Sequence, residues 1–549
     1  SVTYYNKKIN VTSKAFAHIN FSLYQNYYNN GGLVGKAYIG FSKTNEANTD
    51  DFVSYIERDI TSYNGKATAE DIDIPIEEPG EYYFKIVLYH NDKVSQFTVY
   101  SSLYSLKFDS IPRLKHATLK ETTLTGTITS TTNSVIYNDF GANLTLREGI
   151  FTLNKEGNSS NYLSLVDNNG TLNLEKNSQL IVKSGYNNVV NNLSSGRIIS
   201  KGTTLNINQN NSRGIYNLSK KQDNFDYLKI NSANRYETYG ILNLRNKELC
   251  ISNVEIKGNY DAGILINNGT LTINDSTISG SMSSGIRNDA TENTVKVEEG
   301  TDISLSSGAG VINSSSGMIE ISGGLVKSSS NYDYGVYNRG SGTVTIIDGQ
   351  IIGGYGIYNY SGIINVQGGQ ISSLYYDGIF NKTGTINVTG GNISGNYGIN
   401  NDNNKTSIIN VGEKDGNINE NSLVIKGSIS GIRNTSGTFN YYDGKIVGKI
   451  DNWLSGYVSD SEDGYDINIE QKENTEEATL KSLSDLVVVN SVTGKKYITI
   501  QSAIEEVSDG ETIEILKDIK TIMINEIQEN KNIIIDLKGN KIKNYKQGT

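Results

Sequence analysis

Carboxylates and tyrosines dominate the side chains capable of chemistry in this 549-residue chain, which holds 59 Asp and Glu and 36 Tyr but three His and one Cys. Paired or clustered carboxylates would serve glycoside hydrolysis, or would hold calcium beside an Arg or Lys base. The one Asp-Asp pair, Asp50-Asp51, lies near the start. Asp261, Asp275, Asp289, Asp302, Asp333, Asp348 and Asp377 follow singly, mostly beside Gly or Asn, where turns favour them. Residues 456–481 carry eight acids against two Lys. Asp463-Gly464 with Glu470 has EF-hand spacing, but Ser459 and Ser461 stand where the first loop ligands should be, so the ligand set fails. These patterns predict no catalytic residues, no metal site and no cofactor. Cys250, within Leu249-Cys250-Ile251, reads as a small buried hydrophobe.

The aromatics are more orderly. Tyr334, Tyr355, Tyr376 and Tyr397 recur every 21 residues, and Tyr337, Tyr358 and Phe380 recur at 21 and 22. Such periods place them in two outward columns on neighbouring turns of a repeat. They would either stiffen the wall, at roughly 0.2–1 kcal/mol per cross-strand pair, or offer flat rings to a sugar or protein.

The element that must hold them is a repeat. A Gly-(Ile/Val)-x-Asn unit begins at Gly214, Gly240, Gly285, Gly310, Gly335, Gly356, Gly378, Gly398 and Gly431, with a one-residue-longer copy at Gly263. Spacings are 20–26 residues, and 33 for the last. Each copy continues into alternating runs such as Gly342-Thr-Val344-Thr-Ile346 and Gly384-Thr-Ile386-Asn-Val388. Strict alternation means strands with one buried face, and one such set cannot bury that face alone, so the copies must stack. The stacked solution is a parallel β-helix of about fourteen coils with strands ~4.8 Å apart. Ile215, Ile241, Ile264, Ile286, Val311, Val336, Ile357 and Ile379 would form an internal column. The following Asn217, Asn243, Asn267, Asn288, Asn313, Asn338, Asn359 and Asn381 would form a ladder of amides bonded from coil to coil. All three Pro (Pro75, Pro79, Pro112) precede the repeats, as central strands require. A leucine-rich repeat shares the period but expects a Leu consensus.

These motifs resemble the pectate-lyase-like right-handed parallel β-helix superfamily, in the form found on bacterial cell-surface proteins. The resemblance implies right-handed coils over about 120–450, in keeping with the rule for parallel crossovers. It does not imply an activity, because no His follows His116 and the Gly-His-Gly element of polygalacturonases is missing.

The flanks differ in composition. Residues 1–105 read as an Ig-like β-sandwich, with Gly80–Tyr89 and Val94–Tyr100 as a hairpin around Asn91-Asp92. The helix β-strands occupy 106–450, an acidic cap or linker 451–489, and a second β-helix begins over 490–549. There a short helix with Ile500, Ala503, Ile504 and Val507 on one face precedes "DGETI" and "IIIDLKGN" strands. The start without Met and the end within a Gly-Thr pattern read as a piece of a longer protein.

Net charge of −10 and a pI near 5.1 argue against nucleic acid, and no apolar stretch is long enough to span a membrane. The expectation is an extracellular, cell-surface stalk or adhesin segment that is not an enzyme. Its partner would be a glycan or a protein of a host or neighbouring cell, and its oligomeric state is open. The alternatives are a polysaccharide lyase or glycoside hydrolase, and a phage tailspike-like fibre.

Overall fold

In the computed structural model the described residues are 2–11, 15–25, 33–46, 48–61, 68–90, 99–109, 121–130, 136–138, 141–158, 162–221, 223–233, 236–245, 248–401, 405–414, 423–482, 486–519, 522–524, 531–542 and 545–547. The protein is all-β, 64% strand and 2% helix, and its main body is a parallel β-solenoid of about 15 turns. The chain divides into two compact units, 1–354 and 355–549.

The first unit opens with two antiparallel sheets. Val2–Val11, Gly80–His90, Leu33–Ser42 and Phe52–Thr61 form one, and Thr68–Ile76, Ala15–Gln25 and Val99–Asp109 the other. Inward residues of both, including Ile39, Phe41, Phe84, Ile19 and Ile74, share one core. The expected second strand of the hairpin, Val94–Tyr100, is described only from Val99. Gly80–His90 pairs with Val2–Val11 and Leu33–Ser42, whereas Val99–Asp109 pairs with Ala15–Gln25. The chain therefore crosses between sheets, as facing sheets allow; the proposed turn at Asn91-Asp92 lies outside the described residues.

Parallel pairing begins where Glu121–Ser130 meets Asn143–Leu153 and repeats coil after coil to Met318–Ser328 against Thr343–Gly353. The register stacks Ile215 on Ile241, Ile264, Ile286, Val311 and Val336, each with no solvent exposure. The repeat's glycine has a steric reason. A Cβ at Gly214 would lie 2.5 Å from the carbonyl oxygen of Gly240 and 2.9 Å from Ile230 Cγ2, so this inward corner admits no side chain.

In the second unit Ile357, Ile379, Ile399, Ile432 and Leu454 stack in register on one another. Parallel pairing runs past residue 450 to Asp460–Ser461. The acidic segment then forms an antiparallel hairpin, Tyr465–Gln471 with Thr475–Ser482, whose second strand pairs antiparallel with Lys445–Lys449. Ala478 and Leu480 bury inward from that strand. Glu476 is also buried, and its carboxylate accepts the N–H groups of Asp451 at 3.0 Å and Trp453 at 2.5 Å.

Beyond it, the helix Ile500–Glu506 is capped by Thr499, whose Oγ1 accepts the Ser502 N–H at 3.1 Å. Ile500, Ala503, Ile504 and Val507 pack on Val488, Ile513 and Ile515. Thr512–Ile515 pairs in parallel with Ile534–Asp536, and Ile522–Ile524 with Tyr545–Gln547. This is a new parallel stack with an offset of 22–23 residues.

Candidate binding face and the asparagine ladder

The pleat of Tyr-Gly-Ile-Tyr-Asn turns Ile and Asn inward and the second Tyr outward, and in Tyr355–Asn359 Ile357 and Asn359 are buried and Tyr358 half-buried; Tyr355, which strict alternation would place on the side of Ile357, is half-buried too. In the second unit Tyr355 and Tyr376 stack at 4.6 Å between centroids and 12° between planes, and Tyr358 stacks on Phe380 at 4.8 Å and 28°. Tyr355 meets Tyr358 and Phe380 edge-on, at 5.5 and 5.8 Å. The cause is metric: strands ~4.8 Å apart hold rings of successive coils at stacking distance. The ring faces are therefore turned to one another, and the flat exposed faces expected from the sequence are not what this wall displays.

Tyr397 stands apart from that stack, with the Arg433 guanidinium carbon 5.4 Å from its ring centre. Between them Asp377 is buried, accepting from Asn400 Nδ2 at 2.8 Å and from the Tyr397 N–H at 3.4 Å. Burial raises its carboxyl above the usual range, and those hydrogen bonds and Arg433 oppose the rise. The sequence reading missed the most open apolar groups here. Leu374 and Tyr375 are 47% and 48% exposed, held in a tight turn where Ser373 Oγ accepts the N–H groups of Tyr375 and Tyr376 at 3.2 and 2.7 Å. The Tyr375-Tyr376-Asp377-Gly378 run was the available signal.

In the first unit Tyr334 and Tyr337 lie 4.8 Å apart, and burial raises the Tyr334 phenol, helped by Tyr337 and Asp333. The same outward position reads Tyr216, Leu242, Leu265, Arg287 and Ile312 on successive coils. Leu242 and Leu265, although outward, are 6% exposed, packed with Ala262, Tyr216, Tyr239 and Leu244. Arg287 lies 3.5 Å from Asp261 and 3.3 Å from Asp289, and Tyr239 donates to Asp261 at 3.0 Å. Burial works against the Arg287 charge, but the two carboxylates outweigh it and raise its pKa.

The ladder is longer than the sequence reading and differs at one rung. Asn138, Asn168, Asn192 and Asn217 each donate Nδ2 to the Oδ1 of the next rung, ending at Asn243, at 2.7–2.9 Å. Asn288, Asn313 and Asn338 follow at 3.2 and 3.1 Å. In the second unit Asn359, Asn381, Asn401 and Asn434 link at 2.8 Å each. Asn267 is not a rung. Ile266 pairs with both Asn243 and Asn288, because the extra residue of the Gly263 copy pushes Asn267 out to solvent. Asn243 turns its amide to the Asn268 carbonyl at 2.7 Å instead.

Two carboxylates are structural. The Asp50-Asp51 pair resolves into Asp51 accepting from fully buried Lys85 Nζ at 2.8 Å. Burial pushes the Asp51 carboxyl up, but Lys85, Ser42 and Thr44 together bring it down to about 2. Asp223 sits beside the ladder, 1% exposed, accepting from Asn192 Nδ2 at 3.3 Å. Burial raises it to about 6 against hydrogen bonds from Asn217 and Ser219. Among the described residues no three His, Cys, Asp or Glu stand together as a metal-binding group, and no helix is long and apolar enough to cross a membrane.

No protein-family description matches the chain, and neither the curated proteins nor the solved structures contain a match to it.

Proposed function

We propose that this chain is an extracellular, cell-surface β-helical stalk and adhesin segment that engages a glycan or protein partner through its outward aromatic wall. The observation that carries the reading is the patch of the second unit in which exposed Leu374 and Tyr375 border the stacked Tyr355, Tyr376, Tyr358 and Phe380. Ordered, rigid aromatics bind at low entropic cost, and clustered Tyr is where interface energy concentrates. The fold does not require rings at that position, since Leu242, Arg287 and Ile312 occupy it elsewhere.

A polysaccharide lyase or hydrolase would have its foothold at Asp261, Arg287 and Asp289, but there the arginine is held charged by both carboxylates. That favours binding over catalysis. The test is adhesion to cells and to a glycan array by the wild type and by a Leu374→Ser/Tyr375→Ser variant. The variant should lose at least tenfold in binding at unchanged melting temperature; equal binding removes the patch from the reading.

A further inference from the structure

A second column of asparagines runs along the outside of the second unit. Asn387, Asn410 and Asn440 each donate Nδ2 to the Oδ1 of the preceding rung, beginning at Asn365, at 2.9, 2.7 and 2.8 Å. Their strands pair in register, so the amides repeat once per coil. Unlike the buried ladder, Asn365, Asn387 and Asn410 are half-exposed and form the floor of a cavity of about 600 Å³, within the range of ligand sites. An amide has two N–H donors and two acceptor lone pairs. The ladder engages one of each on a central rung, leaving a donor and an acceptor facing outward.

The rim is equally specific. Tyr442 is 8% exposed and donates its hydroxyl to Asp460 Oδ2 at 2.9 Å, and Lys414 Nζ reaches the same oxygen at 2.9 Å. The one cation of the lining is thus neutralised, and the ring is fixed. Among the described residues, Gln367 and Glu413 have no side-chain hydrogen bond or ion pair, although both line the cavity. An anion would meet an unpaired carboxylate there and no free positive charge.

We propose that this cavity binds a neutral, hydroxyl-rich saccharide chain lying across the coils. The donor–acceptor pairs of Asn365, Asn387 and Asn410 would take hydroxyls of successive units, Glu413 and Gln367 would take further hydroxyls, and the Tyr442 ring would form an apolar wall. The site shares no residue with the aromatic wall. It is a second site beside the adhesion patch and does not need that reading to hold.

The test is calorimetry and ligand-observed NMR with the whole chain. The probes are β-linked glucose, N-acetylglucosamine and mannose oligomers of one to six units, with oligogalacturonate and oligolysine as charged arms. At least one neutral series should bind, with affinity rising steeply from one to three units and then levelling. Oligogalacturonate should not bind. Gln367→Ala/Glu413→Ala removes groups without a partner among the described residues, so it should leave the melting temperature unchanged and weaken binding at least tenfold. The same double variant should keep its adhesion to cells, which separates this site from the adhesion patch. Failure of every neutral series at millimolar concentration, unchanged affinity in the double variant, or loss confined to oligolysine would overturn the proposal.

Discussion

The inward and outward positions of one five-residue strand follow different rules. Inward, Ile215, Ile241, Ile264 and Ile286 in the first unit and Ile357, Ile379, Ile399 and Ile432 in the second are interchangeable in kind and closed to solvent. One residue on, the first unit presents Tyr216, Leu242, Leu265 and Arg287, and the second presents Tyr358, Phe380, Asn400 and Arg433. Stacking fixes the interior, because each coil buries its apolar face only on its neighbours. The exterior is constrained only by the rung above and below, so it can be an apolar patch with ion pairs in one unit and a stack of rings in the other. Function belongs on the side the fold leaves open.

That contrast orders the expected effects of substitution. Ile379→Asp should be the most damaging, on the order of 5 kcal/mol or loss of folding, since an unpaired carboxylate enters a closed column; chemical denaturation of purified variants reads it directly. Asp223 is the interior exception. Its folded pKa of about 6 lies above the unfolded value of ~3.9, so the folded state binds the extra proton. Its contribution is therefore most favourable below pH ~4 and is lost as pH rises through about 6. Asp223→Asn should raise stability at pH 7.5 by ~2–3 kcal/mol and flatten the pH dependence of melting between pH 4 and 7. An unchanged pH profile would remove Asp223 as its source.

Asn381→Leu should cost about 2 kcal/mol, because Asn359 loses an acceptor and Asn401 a donor inside the wall. Ile266 supplies the comparison: the apolar rung already there is accommodated by the turn of Asn243 toward the Asn268 carbonyl. Outside, Tyr358→Ser should cost only ~1 kcal/mol, the worth of its ring contacts with Tyr355 and Phe380. A Tyr358 effect as large as that of Asn381 would blur the division between the two sides.

Much of this was legible in the sequence, and the limits have physical causes. Alternation and period carry the solenoid because burial has no other outlet in strands this short. The terminal helix was visible as the one-sided set Ile500, Ala503, Ile504 and Val507. Asn267 was misassigned because counting from Gly263 is not the same as counting by pairing register, and one inserted residue moves the rung to Ile266. Gly80–His90 and Val99–Asp109 lie close in sequence yet belong to different sheets, a crossing that alternation within each strand does not encode. The outward direction of Tyr358 and Phe380 followed from the pleat, but the tilt of the rings depends on contacts between coils, which no single strand encodes. The outer amide column was present in the recurring Ile-Asn-Val runs. Its half-exposure and the neutralised rim require residues as distant as Asn365 and Tyr442 to line one cavity, with Asp460 bonded to Tyr442 and Lys414.

The most direct test of the division between a structural interior and a functional exterior pairs two readings on one variant. Tyr355→Ser/Tyr376→Ser removes a stacked pair from the wall without touching the inward column. Melting temperature and adhesion to glycan arrays and cells would be measured on the same preparation. The account predicts a shift of a few degrees with adhesion reduced at least tenfold; undiminished adhesion, or unfolding as complete as that caused by Ile379→Asp, would contradict it.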